Sequence, residues 1–349
     1  MKRDECTPQE EWVLAQLEEG KWAHLRIYAN GEQDKCRLTA AFLEALLTDG
    51  IEDFKPHRKG LRITGAVVAQ ALDLENAEVA HIVFLDNFKF EKEVNCRDVR
   101  FARHLGLNNC QFSQKADFQR VHVQGNVFLR NAVFQGPLDF CGDDIGGQFN
   151  ADGAQFQSEK EKADFNGLKV GRDAVFSGTV FQGPLDFRGA DIGRQFNAEG
   201  AQFQSEKEKA NFNGLKVGRD AVFRGTVFQG PLDFVSADIG EQFNAEGAQF
   251  QSEKEKADFN GLKVGQDAFF DDAIFQGPVD FVSADIGRQF SAEGAQFRSE
   301  KEKANFNGLK VGRSAVFRGT VFQGPVDFVS ADIGRQFIAE GAQFQNEKE

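Results

Sequence analysis

The side chains that could do chemistry in this 349-residue sequence are mostly carboxylates, and they recur at regular spacing. A row of aspartates occupies one place in successive copies of a repeated segment: Asp139, Asp164, Asp186, Asp233, Asp258, Asp280 and Asp327. Asn211 and Asn305 take the same place in two further copies. Carboxylates at one place in successive copies would form a line of negative charge. The row is therefore a candidate interaction stripe.

No catalytic or metal-binding constellation accompanies these carboxylates. The five histidines lie in the first third of the chain, and their spacing fits no metal-ligand set: His24, His57, His81, His104 and His122. No glycine-rich stretch is followed by Lys and then Ser or Thr, as a phosphate-binding loop would be. The sequence predicts that the protein is not an enzyme, and that it has no catalytic residue, no cofactor and no metal site.

The net charge and the cysteines limit which partners and which cellular compartment the sequence predicts. The net charge of −13 argues against direct nucleic-acid binding through a basic surface. Five irregularly placed cysteines are too few for a disulfide framework and indicate reduced thiols. The sequence shows no signal peptide and no apolar stretch long enough to span a membrane. We therefore expect a cytoplasmic protein with no membrane partner.

A 47-residue repeat positions the aspartates. The segment Phe165 to Asn211 returns from Phe212 and Phe259, in shortened form from Phe306, and a looser copy begins at Phe118. Apolar residues within it recur at steps of 11, 11, 11 and 14. Residues two apart point to the same side of an extended chain, and glycines mark the corners between segments. The pattern predicts short strands joined by sharp corners.

Stacking the coils aligns apolar residues on all four sides. A coil takes 22 residues, or 25 where a QSEKEK segment adds three, and we expect the added loop to be solvated. Two phenylalanine ladders result, one through Phe134, Phe156, Phe181, Phe203 and onward, the other through Phe140, Phe165, Phe187, Phe212 and onward. A third ladder alternates Ile and Val. On the fourth side large and small residues exchange places, which keeps the volume of each layer constant.

The segments also divide into five-residue units, such as ADFNG at Ala163, AVFSG at Ala174, TVFQG at Thr179 and ADIGR at Ala190. In this the chain resembles the pentapeptide-repeat family, with the difference that every second unit gains one residue. The resemblance implies an all-β solenoid, a right-handed quadrilateral β-helix. It covers residues 61–349, with near-identical repeats from residue 118.

Residues 1–60 do not repeat, and they predict a small α-helical N-terminal cap. Thr7 to Glu10 has the form of a capping box, opening a helix that stops near Gly20. A second helix is predicted from Thr39 to Leu47. Three further apolar residues are expected to help the helices cover the first coil, whose strand edges need protection: Trp22, Leu25 and Ile27.

Two functions fit these features. The first is a non-catalytic rigid scaffold, a rod that binds another protein. The alternative follows from the resemblance: some pentapeptide-repeat proteins imitate DNA and bind gyrase, so the chain could inhibit or protect a type II topoisomerase. We also expect Phe328, Phe337 and Phe344 to form a self-association end, giving a possible C-terminal homodimer.

Overall fold

The structure is a computed structural model that describes residues 1–345. The chain divides into two compact units, Met1–Arg172 and Asp173–Glu349. Both units consist of parallel β-coils, and helices occur at the start of the first unit. The predicted quadrilateral β-helix with N-terminal helices is confirmed. None of the helices within the described residues is long and apolar enough to cross a membrane.

The N-terminal segment contains three α-helices, two short 3₁₀ helices and one strand. In chain order these are the 3₁₀ helix Arg3–Glu5, α1 Pro8–Glu18, the strand Ala23–His24, α2 Leu25–Ala29, the 3₁₀ helix Gln33–Cys36 and α3 Ala40–Leu47. The capping box predicted for α1 is present, because Thr7 and Glu10 bond each other's backbone N–H groups. Thr39 caps α3 in the same way by accepting from the N–H of Phe42 at 3.1 Å.

A buried carboxylate joins the two longer helices. Glu10 is 1% exposed, and its Oε1 accepts from both the backbone N–H and the hydroxyl of Thr39, at 2.8 and 2.7 Å. Its Oε2 accepts from the N–H of Thr7 at 2.8 Å. Because every buried oxygen of this carboxylate has a donor, one side chain fixes the starts of α1 and α3 together.

The N-terminal segment covers the first coil, as the sequence predicts. The strand Ala23–His24 pairs in parallel with Ile63 and Thr64, and Arg37 forms a bridge to Val67. Helix α3 packs on the strand Leu72–Asp73. These contacts close strand edges that would otherwise be open to other chains.

One residue assigned to this cover was wrong. Ile27 is 75% exposed, whereas Leu25 and Ala29 are buried. The sequence pattern did not indicate the short helix α2. In a helix, residues four apart share a face. That geometry turns Leu25 and Ala29 toward the core and leaves Ile27 on the opposite side.

The first unit has four parallel sheets, numbered here in chain order. Sheet 1 comprises Ala23–His24, Leu61–Thr64, Val83–Asp86, Leu105–Gly106, Val127–Phe128 and Phe149–Asn150. Sheet 2 comprises Val67–Val68, Lys89–Phe90, Gln111–Phe112, Val133–Phe134 and Gln155–Phe156. Sheet 3 comprises Leu72–Asp73, Val94–Asn95, Ala116–Asp117, Leu138–Asp139 and Ala163–Asp164. Sheet 4 comprises Glu78–Val79, Arg100–Phe101, His122–Val123, Asp144–Ile145 and Lys169–Val170.

The second unit has the same construction, and its sheets take the same numbers. Sheet 1 comprises Ala174–Val175, Phe196–Asn197, Ala221–Val222, Phe243–Asn244, Ala268–Phe269, Phe290–Ser291, Ser314–Val316 and Gln336–Ile338. Sheet 2 comprises Val180–Phe181, Gln202–Phe203, Val227–Phe228, Gln249–Phe250, Ile274–Phe275, Gln296–Phe297, Val321–Phe322 and Gln343–Phe344. Sheet 3 comprises Leu185–Asp186, Ala210–Asn211, Leu232–Asp233, Ala257–Asp258, Val279–Asp280, Ala304–Asn305 and Val326–Asp327. Sheet 4 comprises Asp191–Ile192, Lys216–Val217, Asp238–Ile239, Lys263–Val264, Asp285–Ile286, Lys310–Val311 and Asp332–Ile333.

The register of the coils is the one that the repeat predicts. In the second unit Phe181 lies opposite Phe203, a step of 22, and Phe203 lies opposite Phe228, a step of 25. The rings of these neighbours are nearly parallel, with centroids 5.1 and 4.6 Å apart. Such separations fit both the spacing of hydrogen-bonded strands and offset ring stacking. The predicted phenylalanine ladders are confirmed.

The exchange of large and small residues on the fourth side is also present. Ala174 lies opposite Phe196 on sheet 1, and Phe196 lies opposite Ala221. Phe196 meets Phe187 of the neighbouring ladder edge to face, at 5.4 Å and 86°. Each large ring therefore occupies the space that the adjacent alanine leaves, which maintains a close-packed interior.

Glycine is required where the added loops cross the next coil. A Cβ atom on Gly230 would collide with the backbone carbonyl of Ser205 in the loop, and Gly277 meets Ser252 in the same way. Backbone atoms cannot move aside as the end of a side chain can. This close approach seats each added loop against the coil that follows it.

One carboxylate lies inside the first unit. Asp143 is fully buried at an inward corner position, which Ala190 and Ala237 occupy in later repeats. Its Oδ1 accepts from the N–H of Val121 at 2.8 Å, while its Oδ2 is buried with no hydrogen-bond partner. Burial raises the pKa of Asp143 well above its usual value, and the Val121 bond only partly opposes this.

We expect the phenylalanine ladders to dominate stability. Replacing Phe234 with Ala removes a ring stacked between Phe212 and Phe259, and should cost about 3–5 kcal/mol. Replacing the half-exposed Gln204 with Ala should cost less than about 0.5 kcal/mol. Chemical denaturation of both variants measures the difference. Equal midpoints would contradict the assignment of the interior.

A second prediction concerns pH. Because the folded-state pKa of Asp143 is raised, its buried carboxyl lowers stability progressively as pH rises from the unfolded value, about 3.9, through the folded value. Asp143→Asn should therefore raise the melting temperature at pH 7, and the gain should disappear below about pH 4. Asp144→Asn, an exposed neighbour, is the matched control. A gain independent of pH would contradict the role of charge.

Candidate interaction surface

The aspartate stripe, defined as Asp139, Asp164, Asp186, Asp233, Asp258, Asp280 and Asp327, lies on sheet 3 at the second position of each strand. In every case the carboxylate accepts a hydrogen bond from the backbone N–H two residues later, at distances between 2.9 and 3.1 Å. Asn211 and Asn305 accept the same bond through their amide oxygens, at 3.1 and 3.2 Å. The shared function of these residues is to fix the corner that follows each strand.

The stripe is more buried than its predicted outward orientation implies. Asp164, Asp186 and Asp233 are between 6% and 9% exposed, and the other four members are half-buried. Burial raises the pKa of Asp139, with the hydrogen bond from Cys141 opposing it. At the other end of the row, the hydrogen bond from Lys303 is the main cause that lowers the pKa of Asp327.

Lysines from the added loops bind the stripe, a feature that the sequence analysis missed. The last lysine of each loop contacts an aspartate: Lys162 binds Asp164 at 2.7 Å, Lys209 binds Asp233 at 3.1 Å, Lys256 binds Asp258 and Asp280 at 2.8 and 3.2 Å, and Lys303 binds Asp327 at 2.7 Å. Arg188 binds Asp186 at 2.7 Å. Six of the seven stripe aspartates therefore take part in ion pairs.

The added loops are exposed, as predicted, and hydrogen bonds within each loop also hold its shape. Within each loop a serine hydroxyl accepts from the backbone N–H three residues later, as Ser252 does from Glu255 at 3.1 Å. The same bond recurs in the other copies at 3.2 Å. Together with the glycine contact described above, these bonds hold the loop so that its last lysine reaches back to sheet 3.

Asp139 lies at a corner that carries a cysteine, Cys141, two residues later. The ligand atoms of Asp139, Cys141 and Asp164 lie within 4.8 Å of one another, the only such group of potential metal ligands within residues 1–345. Lys162 and a backbone N–H already bind Asp164, however. Burial also raises the pKa of the Cys141 thiol and disfavours the thiolate that a metal would need. The arrangement fits a structural corner better than a metal centre.

Two other outward rows run beside the stripe. On sheet 4 aspartate and lysine alternate in register, as in the pairs Asp238 with Lys263 and Asp285 with Lys310. On sheet 2, half-exposed Val180, Val227, Ile274 and Val321 alternate with glutamines. The first row balances its own charge, whereas the second offers apolar surface at a fixed period.

The three residues predicted to form a self-association end lie on the last described coil. Phe337 and Phe344 are 49% and 56% exposed, while Phe328 is half-buried and stacks on Phe306 at 4.8 Å. Val329, which the sequence analysis did not single out, is 62% exposed. The homodimer stays a prediction.

Two voids among the described coils are small. One void, lined by Leu185, Phe203 and Phe228 among others, measures about 10 Å³. Another, among the first coils, measures about 20 Å³. Voids of this size hold no more than one or two waters.

Comparison with known proteins gives no relative for this chain: no family model matches it, and neither a curated protein nor a solved structure does. The resemblance to pentapeptide repeats therefore stands on the repeated units themselves. The structure is a parallel β-solenoid with stacked phenylalanine ladders.

The contact between Lys256 of the added loop and the aspartate stripe can be tested by substitution. Although burial lowers it, the pKa of Lys256 is raised overall by its hydrogen bonds to Asp258 and Asp280. Replacing Lys256 with Gln should cost about 0.5–1 kcal/mol, because the pair is partly exposed, and less at high salt. Lys254→Gln, in the same loop but fully exposed, is the control. Equal effects of the two changes on urea denaturation would show that the contact does not stabilise the fold.

Proposed function

We propose that the protein is a non-catalytic scaffold of the pentapeptide-repeat type, with double units of 11 residues, and that its repeated outer faces bind another protein. The observation that carries the proposal is the row of Val180, Val227, Ile274 and Val321 on sheet 2. These residues present half-exposed apolar surface at the same place in each 47-residue repeat. A partner that meets several copies at once gains avidity from weak individual contacts.

The hydrogen bonds of the carboxylates and the burial of two thiols support a non-catalytic function. The stripe carboxylates bind backbone N–H groups and lysines, so they serve the fold first. The five cysteines are free thiols, of which Cys96 and Cys110 are buried with raised pKa values caused by desolvation. Unpaired thiols suit the reducing cytoplasm, where we place the protein.

The alternative function, imitation of DNA toward a type II topoisomerase, has less support. A phosphate mimic needs carboxylates that are exposed and free to meet a basic partner. In the aspartate stripe Asp186 and Asp233 are nearly buried and bound by Arg188 and Lys209. No observation on the described surface favours this function over the scaffold.

Binding should depend on the number of repeats. Deleting residues 212–258 removes one complete period and keeps the register, so the remaining coils should still stack. We expect a partner captured by the full chain from its native cells to dissociate faster from the deletion variant. Replacing Val180, Val227 and Ile274 with Ser should have a similar effect.

The control is Lys254→Gln, which changes an exposed residue that is not a member of that row. Circular dichroism would verify that each variant retains its β-structure. Capture that is identical for the full chain, the deletion and the Ser variant would reject the sheet 2 row as the binding surface.

Self-association through the last described strands is a further part of the proposal. The ring of Phe344 stacks on Phe322, the ring of Phe337 lies tilted against Phe317, and both are about half exposed. A second copy could cover them around a two-fold axis. Light scattering should show a dimer that Phe344→Lys disrupts, whereas Gln343→Lys should disrupt it less. A monomer at every accessible concentration would reject the homodimer.

A further inference from the structure

The first unit contains a cleft that the sequence analysis did not foresee. It lies between the N-terminal segment, from Arg26 to Arg37, and the beginning of sheet 2, from Gly65 to Gln111. Its volume is about 520 Å³, within the range of small-molecule sites. It contrasts with the interior of the coils, where voids hold a water or two.

Both walls of the cleft are fixed in place. Arg37 bridges Val67, and the N–H of Leu38 donates to the carbonyl of Val67 at 3.0 Å. On the opposite wall Asn87 donates through its Nδ2 to the hydroxyl of Thr64 at 2.9 Å. A cleft between two hydrogen-bonded elements is largely preformed, so a ligand would bind it with little cost in ordering the protein.

Gly65 leaves room for the side chain of Arg26 to lie against the floor of the cleft. A Cβ atom on Gly65 would lie 2.8 Å from the Cγ of Arg26, and Gly65 has a φ of +83°, which other residues rarely adopt. The backbone at this point thus leaves space for the stem of Arg26. A side chain at residue 65 would force the stem of Arg26 to shift.

The charges in the cleft do not balance. Glu91 is shared by Lys89 at 3.3 Å and Arg37 at 3.7 Å, and Glu32 binds Lys35 at 2.7 Å. Within the part of the chain that the structure describes, Arg26 has no carboxylate partner. Its guanidinium is close enough to oppose the rise that burial causes in the pKa of the Cys36 thiol.

We propose that this cleft binds a small ligand carrying a carboxylate or phosphate group, and that Arg26 is its main anchor. A guanidinium offers paired donors that match both groups. Lys89, Asn87 and Gln111 line the same cleft and supply further hydrogen-bond donors for the rest of the ligand. The site is separate from the repeated faces assigned to protein binding.

Cys36 provides a local readout, because it lines the cleft and is 9% exposed. The full-length protein would be alkylated with iodoacetamide, with inorganic phosphate or succinate as the probe and chloride at matched ionic strength. Peptide mass spectrometry would give the rate at each cysteine. We expect a saturating probe to slow alkylation of Cys36 and to leave Cys6 and Cys141, which lie outside the cleft, unchanged. The probe that protects at lower concentration identifies the preferred group.

Arg26→Gln should weaken this protection about tenfold in probe concentration, the loss expected for one charge-assisted hydrogen bond. Arg100→Gln removes the same charge from an exposed position on sheet 4 and should leave protection unchanged. In each variant the alkylation rate of Cys36 is compared with and without probe, because Arg26 also affects the reactivity of this thiol directly. The proposal is overturned if neither probe protects Cys36, if all three cysteines are protected alike, or if Arg26→Gln binds as the original does.

Discussion

The stacking of each coil on the one before it is the constraint on which the rest of this structure depends. Parallel strands repeat at a fixed spacing, so a side chain in one coil must meet its equivalent in the next. In the second unit successive rings from Phe212 through Phe234 to Phe259 are separated by 4.6 and 5.5 Å and remain nearly parallel. In the two phenylalanine ladders an interior residue therefore packs on a copy of itself, whereas on sheet 1 large and small residues exchange places.

This constraint explains why so much of the fold could be predicted. The inward positions, the steps of 22 and 25 and the exchange of Phe196 with Ala221 all follow from alternation along a strand and from conserved volume. The capping box at Thr7 and the N-cap at Thr39 are equally local, because they involve residues three apart. The buried Asp143 could have been found by the same register, since it stands where Ala190 stands one repeat later.

Features that depend on the path of an irregular segment could not be predicted. Lys256 reaches Asp280, 24 residues away, only because the loop is seated by a serine turn and a glycine contact. The exposure of Ile27 depends on a helix of five residues that no repeat specifies. For the same reason the cleft beside Arg26 was missed, because its walls are brought together by a single bridge from Arg37 to Val67.

The division between repeated and unique parts also limits where function can lie. A polar residue placed in the repeat recurs in every coil of its kind, so it must be compatible with its neighbours above and below. The stripe meets this condition by binding its carboxylates to backbone and lysine, which removes them from other uses. An unbalanced charge such as that of Arg26 is tolerated where it has no copy to repel. The proposed site for a small ligand therefore lies beside the N-terminal segment, and the proposed protein partner would contact the same surface in several repeats.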